Sequence, residues 1–135
     1  MARVLQVVTD TDRRGAQVFA TDLHAALARQ GRDVRTVALA PGKVGGLVLP
    51  VLGERRRSVA TLRALRHEVA SAAVVVGHGS TTLPLGAIAT VGTGTPFVYR
   101  QISDSVFWAP SGLRRLRVQA AMRRCAALVA LWPGA

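Results

Sequence analysis

Several things are scarce in this chain of 135 residues, and each scarcity excludes something. There is one cysteine, Cys125, so no internal disulfide framework holds the fold, which fits a reducing compartment. One cysteine and three separated histidines, His24, His67 and His78, give no zinc spacing, and no metal site is expected. No apolar run approaches the ~18 residues that a membrane-spanning helix needs. Aromatic residues make up 4% of the chain, so the stacking platforms of nucleic-acid readers are in short supply. The segment Val4 to Val8 is too short for a secretory leader and runs straight into a polar turn. These points place the chain in the cytoplasm, with peripheral contact at the inner membrane face as the variant suggested by its charge.

Arginine is what the chain has in plenty. Lys43 is the single lysine, and the formal net charge is +11. Nucleic acid, anionic lipid and phosphorylated small molecules all suit such a charge. The arginines are scattered rather than gathered on one stripe, which argues against nucleic acid. A codon-biased genome also yields an Arg- and Ala-rich chain without asparagine.

Apolar strands alternate with amphipathic helices along the whole length. Strands are expected near 3–9, 33–39, 47–51, 73–77, 97–100 and 127–131, and helices near 15–30, 59–70, 82–91 and after Ser111. Gly31 suits the left-handed residue that ends the first helix, and Ser58 suits the N-cap of the second. Pro50 cannot donate to a ladder, so 47–51 belongs at an edge. The order implies an α/β, Rossmann-like parallel sheet of about six strands with helices on both faces. In such sheets ligands bind beyond the carboxyl ends of the strands.

Three polar turns follow strands directly. Thr9 to Gln17 carries Arg14, Gly15, Ala16 and Gln17 at a helix start, where backbone N–H groups and the positive helix end suit a phosphate or sugar. An ordinary strand-to-helix turn with solvated arginines is the plain alternative. The run lacks both the dinucleotide fingerprint and the nucleoside triphosphatase P-loop. The second turn is Gly77-His78-Gly79-Ser80-Thr81, whose glycines let a ligand approach and whose Ser80 or Thr81 can cap the next helix. It does not fit a Ser nucleophile elbow. The third is Arg100-Gln101-Ile102-Ser103-Asp104, with Phe107 and Trp108 behind it. Arg100 ends a buried strand, where a charge needs a partner, either Asp104 or an anionic ligand. Arg114, Arg115, Arg117, Arg123 and Arg124 surround the last helix, either as a solvated face or as a basic membrane-surface face. Cys125 falls on its packing stripe with Val118, Ala121 and Met122.

Together these segments resemble the N-terminal half of a GT-B glycosyltransferase, within the large family 4 of retaining enzymes. Arg14-Gly15-Ala16-Gln17 stands where the family has Gly-Gly-Ala/Val-Glu/Gln, and Gly31-Arg32-Asp33-Val34 resembles its Gly-His-x-Val entry to the second strand. Val74-Val75-Val76-Gly77-His78-Gly79 resembles its Asp-Val-Val-His-x-His segment, and Pro96 to Asp104 its strand and loop facing the donor sugar. Two departures stand out: Arg14 replaces the first glycine of the pair, and Ser103 stands where many members have a histidine before the aspartate. The resemblance implies that Arg14, Gly15, Ala16 and Gln17 contact the donor phosphate, and that His78, Gly79, Ser80, Arg100, Ser103 and Asp104 line the acceptor and donor-sugar side. Asp104 and His78 are the candidate catalytic residues. The sugar nucleotide would be a substrate, with no cofactor and an unassigned acceptor. Residues 1–135 would form the acceptor-side domain, with the nucleotide-holding domain absent and no turnover by this piece alone. Two other classes remain open: a free-standing phosphate- or nucleotide-binding domain, and a basic module for anionic membrane or nucleic acid.

Overall fold

Five apolar segments pair side by side as β1 (Arg3–Val8), β2 (Asp33–Ala38), β3 (Val74–His78), β4 (Phe97–Gln101) and β5 (Ala127–Ala130). Between them run α1 (Gly15–Arg29), α2 (Val59–Val69), α3 (Thr82–Ala89) and α4 (Gly112–Arg124). The computed structural model describes residues 2–101 and 112–130. Every strand pairing is parallel, and the order is β2-β1-β3-β4-β5. The chain therefore winds outward in both directions from a switch between β1 and β3, the place where such sheets offer a crevice.

Register sorts the sheet into two unlike faces, because successive side chains on a strand point opposite ways. Leu5, Val7, Val37, Val75, Phe97 and Tyr99 point to one face and pack with Leu65, Val69, Leu83 and Ala121 from α2, α3 and α4. Gln6 is in register with Thr36 and Val76, and His78 with Val8 and Arg100, so this polar set shares the opposite face. There α1 supplies the cover, with Val8 and Ala38 packed on Ala20. The bidentate pair Arg35–Glu68, at 2.7 and 2.9 Å, fastens β2 to α2. It holds the Glu68 carboxyl below its ordinary range.

Most expected boundaries agree to within two residues. Ser58 accepts from the Thr61 N–H at 3.1 Å as the N-cap of α2, and Gly31 has φ +77 after α1. The expected strand 47–51 is a correction: it makes a parallel bridge, Ala38 with Val51, and no strand. Leu52 N–H and the Pro50 carbonyl each bond Ala38, but Pro50 has no N–H with which to extend the ladder. The sheet thus has five strands among the described residues, with this segment along the outer edge of β2. The stripe Val118, Ala121, Met122 and Cys125 does face the core. Cys125 is half-buried, and burial pushes its thiol up to about 11, so it stays protonated near neutrality.

Gly86 in α3 tests how closely this core is packed. A Cβ there would overlap the ring of Phe97 at Cζ and Cε1. Gly86→Ala is expected to cost ~2–3 kcal/mol from overpacking, the upper part of the usual range because three ring atoms of Phe97 are met at once, more than the ~1 kcal/mol that alanine gains in a helix. Urea unfolding checks this, and an unchanged or raised midpoint would mean that Phe97 yields without cost.

Candidate functional site at the carboxyl ends of the strands

The turn after β1 uses its carboxylates internally. Asp10 is fully buried and accepts from Gln17 Nε2 at 2.8 Å, from the Asp12 N–H at 3.0 Å and from Arg56 Nη2 at 2.7 Å. Asp12 accepts from the N–H groups of Lys43, Val44 and Gly45 at 3.2, 2.9 and 2.7 Å. The Gly45 bond leads the causes that hold its carboxyl below the ordinary value. These contacts clasp the loop 41–46 over the turn. The opening turn of α1 is left unfilled: its N-cap, Arg14, is extended and gives no side-chain cap. Val18 N–H bonds the Arg14 carbonyl. The N–H groups of Gly15, Ala16 and Gln17 have no acceptor among the described residues, as expected of a helix's first turn. Among the described residues nothing lies within 4 Å of where a Gly15 Cβ would stand, so the rim is open there.

His78 ends β3, and Arg100, one residue before the end of β4, is in register with it. His78 is fully buried, and its Nε2 lies 2.8 Å from Gln6 Oε1. Burial first, and then the charge of Arg100, lower its pKa to about 4, so the ring is neutral at physiological pH. The Arg100 guanidinium stacks 3.7 Å from the centroid of Phe19, and the same ring tilts against His78 at 5.9 Å. Phe19 therefore joins the first turn's helix to the ends of β3 and β4.

Of the residues singled out from sequence, Arg14, Gly15, Ala16, His78 and Arg100 lie at this one rim. The Gln17 side chain is committed to Asp10, and its backbone N–H is the group left at the helix start. The glycines beside His78 have other duties. Gly77 makes room for Thr82 and Phe97 on the apolar face, and Gly79 takes φ +100 in the turn. Neither Ser80 nor Thr81 caps α3 with its side chain; the Thr82 hydroxyl donates to the Gly79 carbonyl at 2.7 Å instead. Ser80 is exposed and lines a groove of about 640 Å³ with Val59, Leu62, Ile88, Arg114 and Arg117. Ser103, Asp104, Phe107, Trp108 and Ser111 lie outside the described residues.

Sequence reasoning missed Gln6, Arg56 and Phe19 as parts of the site. Phe19 falls at helical spacing with Ala16, Ala20, Leu23 and Leu27, the pattern of a core residue, yet it is 42% exposed. His24 is half-buried on α1, with Nδ1 2.8 Å from Thr36 Oγ1. A glutamine between Leu5 and Val7 in an apolar strand was the available signal for Gln6. Among the described residues, no group of three or more His, Cys, Asp or Glu could hold a metal ion.

No protein-family model matches the sequence, and no curated protein matches it. Solved structures do match the fold. MurG of Acinetobacter baumannii aligns with TM-score 0.66 at 14% identity, over 98% of this chain and 42% of its own. An α-glucosyltransferase in complex with UDP aligns with TM-score 0.65 at 11% identity, over 96% of this chain and 35% of its own. An α-glucosyltransferase with UDP and a 13-mer DNA containing an HMU base gives 0.59 at 10%, over 94% and 37%. The chain thus spans less than half the length of each of these proteins. The likeness defines the fold, a Rossmann-like α/β domain matching the N-terminal half of the GT-B glycosyltransferases.

Two pH responses follow. The folded pKa of His78 lies below the ordinary 6.5, so its contribution to stability is whole above that value and is lost as pH falls towards about 4. Asp12 is also depressed, so the clasp it makes is whole above 3.8 and loosens only at lower pH. Imidazole resonances of His78 and the amide shifts of Val44 and Gly45 report the two events separately. His78 titrating near 6.5, or the loop amides moving well above 3.8, would contradict the burial described.

Proposed function

We propose that this chain is the acceptor-side domain of a glycosyltransferase that moves a hexose from a nucleotide-diphosphate sugar to an acceptor. The reading extends to a retaining, family 4-like enzyme whose nucleotide-holding domain lies outside these 135 residues. The observation that carries it is the gathering of the open α1 amides, Arg14, His78 and Arg100 at one rim beside the β1–β3 switch. Two structures of the same fold were solved with UDP bound, which supports a nucleotide-sugar donor here. In this account the N–H groups of Gly15, Ala16 and Gln17, with Arg14, face the donor phosphate. A departing nucleotide diphosphate gains negative charge, and fixed donors stabilise it. His78, Gly79 and Arg100 face the sugar side, where Ser103 and Asp104 complete the reading, while Ser80 turns to the groove beside α2 and α4. Asp104 and His78 are the candidates for contact with the reacting groups. The sugar nucleotide is a substrate, and no cofactor is invoked.

In the complete protein, Arg100→Ala is expected to lower sugar transfer ~10²-fold, the scale of losing one positioned charge-stabilising donor. Nucleotide release from the sugar nucleotide measures it, and an unchanged rate would contradict the reading. Tight UDP binding by these 135 residues alone would favour a free-standing nucleotide-binding domain.

The proposal includes a peripheral placement on the inner, anionic face of the membrane. No described helix is long and apolar enough to cross a membrane. On α4, Leu113 and Leu116 are 63% and 62% exposed and stand among Arg114, Arg115 and Arg117, a mixture suited to an anionic lipid surface. Co-sedimentation with anionic vesicles is expected to weaken with salt. It should be lost when Arg114, Arg115 and Arg117 are all changed to alanine; binding that survives the triple change would remove this part of the account.

A further inference from the structure

The amide of Gln6 can adopt one orientation only. Its Nε2 lies 2.9 Å from the Ala20 carbonyl and 3.0 Å from Thr36 Oγ1, and a carbonyl can only accept, so the nitrogen must face it. Gln6 Oε1 is therefore the atom that meets His78 Nε2 at 2.8 Å, and His78 donates from Nε2. In a neutral ring the proton on Nε2 leaves Nδ1 as a bare lone pair. Nδ1 is buried and has no partner among the described residues. On the next strand, at the registered position, Arg100 Nη1 is a buried donor with no partner among the described residues. Buried polar groups are normally satisfied, so an acceptor and a donor left open side by side call for an explanation.

We propose that His78 and Arg100 form a subsite for a hydroxyl group of a neutral sugar or polyol, and that Gln6 is the positioning residue that fixes the acceptor of His78. A hydroxyl donates to Nδ1 and accepts from the guanidinium at once, whereas a fully ionised phosphate monoester only accepts and an ammonium only donates. A phosphate oxygen would face the Nδ1 lone pair, and an ammonium would face Arg100. Phe19, half-exposed and lying against both groups, covers the subsite on the α1 side, so a ligand reaches it by displacing that ring. That the hydroxyl belongs to a sugar rests on the glycosyltransferase reading; the matched donor and acceptor do not.

Long-range proton–nitrogen spectra of the ¹⁵N-labelled chain at pH 8 test this with glucose and methyl phosphate, a dianion without an O–H donor there, as probes. His78 is expected in the Nε2–H form alone, with Nδ1 shifting on addition of glucose and staying still with methyl phosphate. Phe19→Ala leaves the Gln6 bond in place and is expected to enlarge the glucose shift. A proton on Nδ1, a response to methyl phosphate instead of glucose, or no glucose response in either chain would overturn the subsite. Gln6→Met is expected to abolish both the single-tautomer signature and the glucose response, and a folded variant that keeps them would remove the positioning role. If Gln6→Met does not fold, Gln6→Glu decides: a carboxylate beside Nε2–H should raise the titration of His78 above about 4, and an unmoved titration would overturn the contact. A chain that passes these tests while the complete protein transfers no sugar keeps the subsite and loses the transferase.

Discussion

Beneath α1, a buried amide has to satisfy every one of its hydrogen bonds, and much of the rim follows from how it does so. Gln6 binds the helix through the Ala20 carbonyl, β2 through Thr36 and β3 through His78. A polar group in an apolar interior is costly unless paired. The three bonds therefore fix the spacing of helix and strands on this face more specifically than contact between alkyl groups could. The opposite face is an apolar core under α2, α3 and α4. One side of the sheet supplies stability, and the other supplies directed polar groups at the strand ends.

The turn after β1 follows the same rule with full charges. Two buried carboxylates at a strand end would repel an anionic ligand if they faced the rim. Asp10 is turned inward to Arg56 and Gln17, and Asp12 is spent on three backbone N–H groups of the loop 43–45. What faces the solvent side is positive: the first amides of α1, and Arg14, which is exposed and pairs with the Asp12 carboxylate at 3.5 Å. The local charge at the turn is thus set by which groups are already paired, and the sequence total of +11 says little about it.

The fold was legible because hydrophobic periodicity and helix-ending signals act locally. The run Val74-Val75-Val76, the cap at Ser58 and the stop at Gly31 need no tertiary information to be read. Leu47–Val51 misled because its apolar pattern outweighed the missing N–H of Pro50. The rim was legible in position, since strand ends in such a sheet are fixed by topology, yet its chemistry was only half visible. Gln6 and Thr36 are far apart in the chain and become neighbours only through strand register, and His24 meets Thr36 only where α1 packs on that face. Phe19 looked like core because helical spacing cannot tell a core contact from a ring that lies over a charged neighbour. Arg56 sat in a run of three arginines with nothing to mark which one turns inward.

The central claim is that the carboxyl ends of β1, β3 and β4 form one ligand site. A crystal structure of the complete protein with its nucleotide sugar and acceptor tests it most directly. The account predicts diphosphate against the amides of Gly15 and Ala16, and a sugar hydroxyl between His78 and Arg100. Ligands seated elsewhere, for instance in the groove between α2, α3 and α4 with the rim left empty, would contradict it.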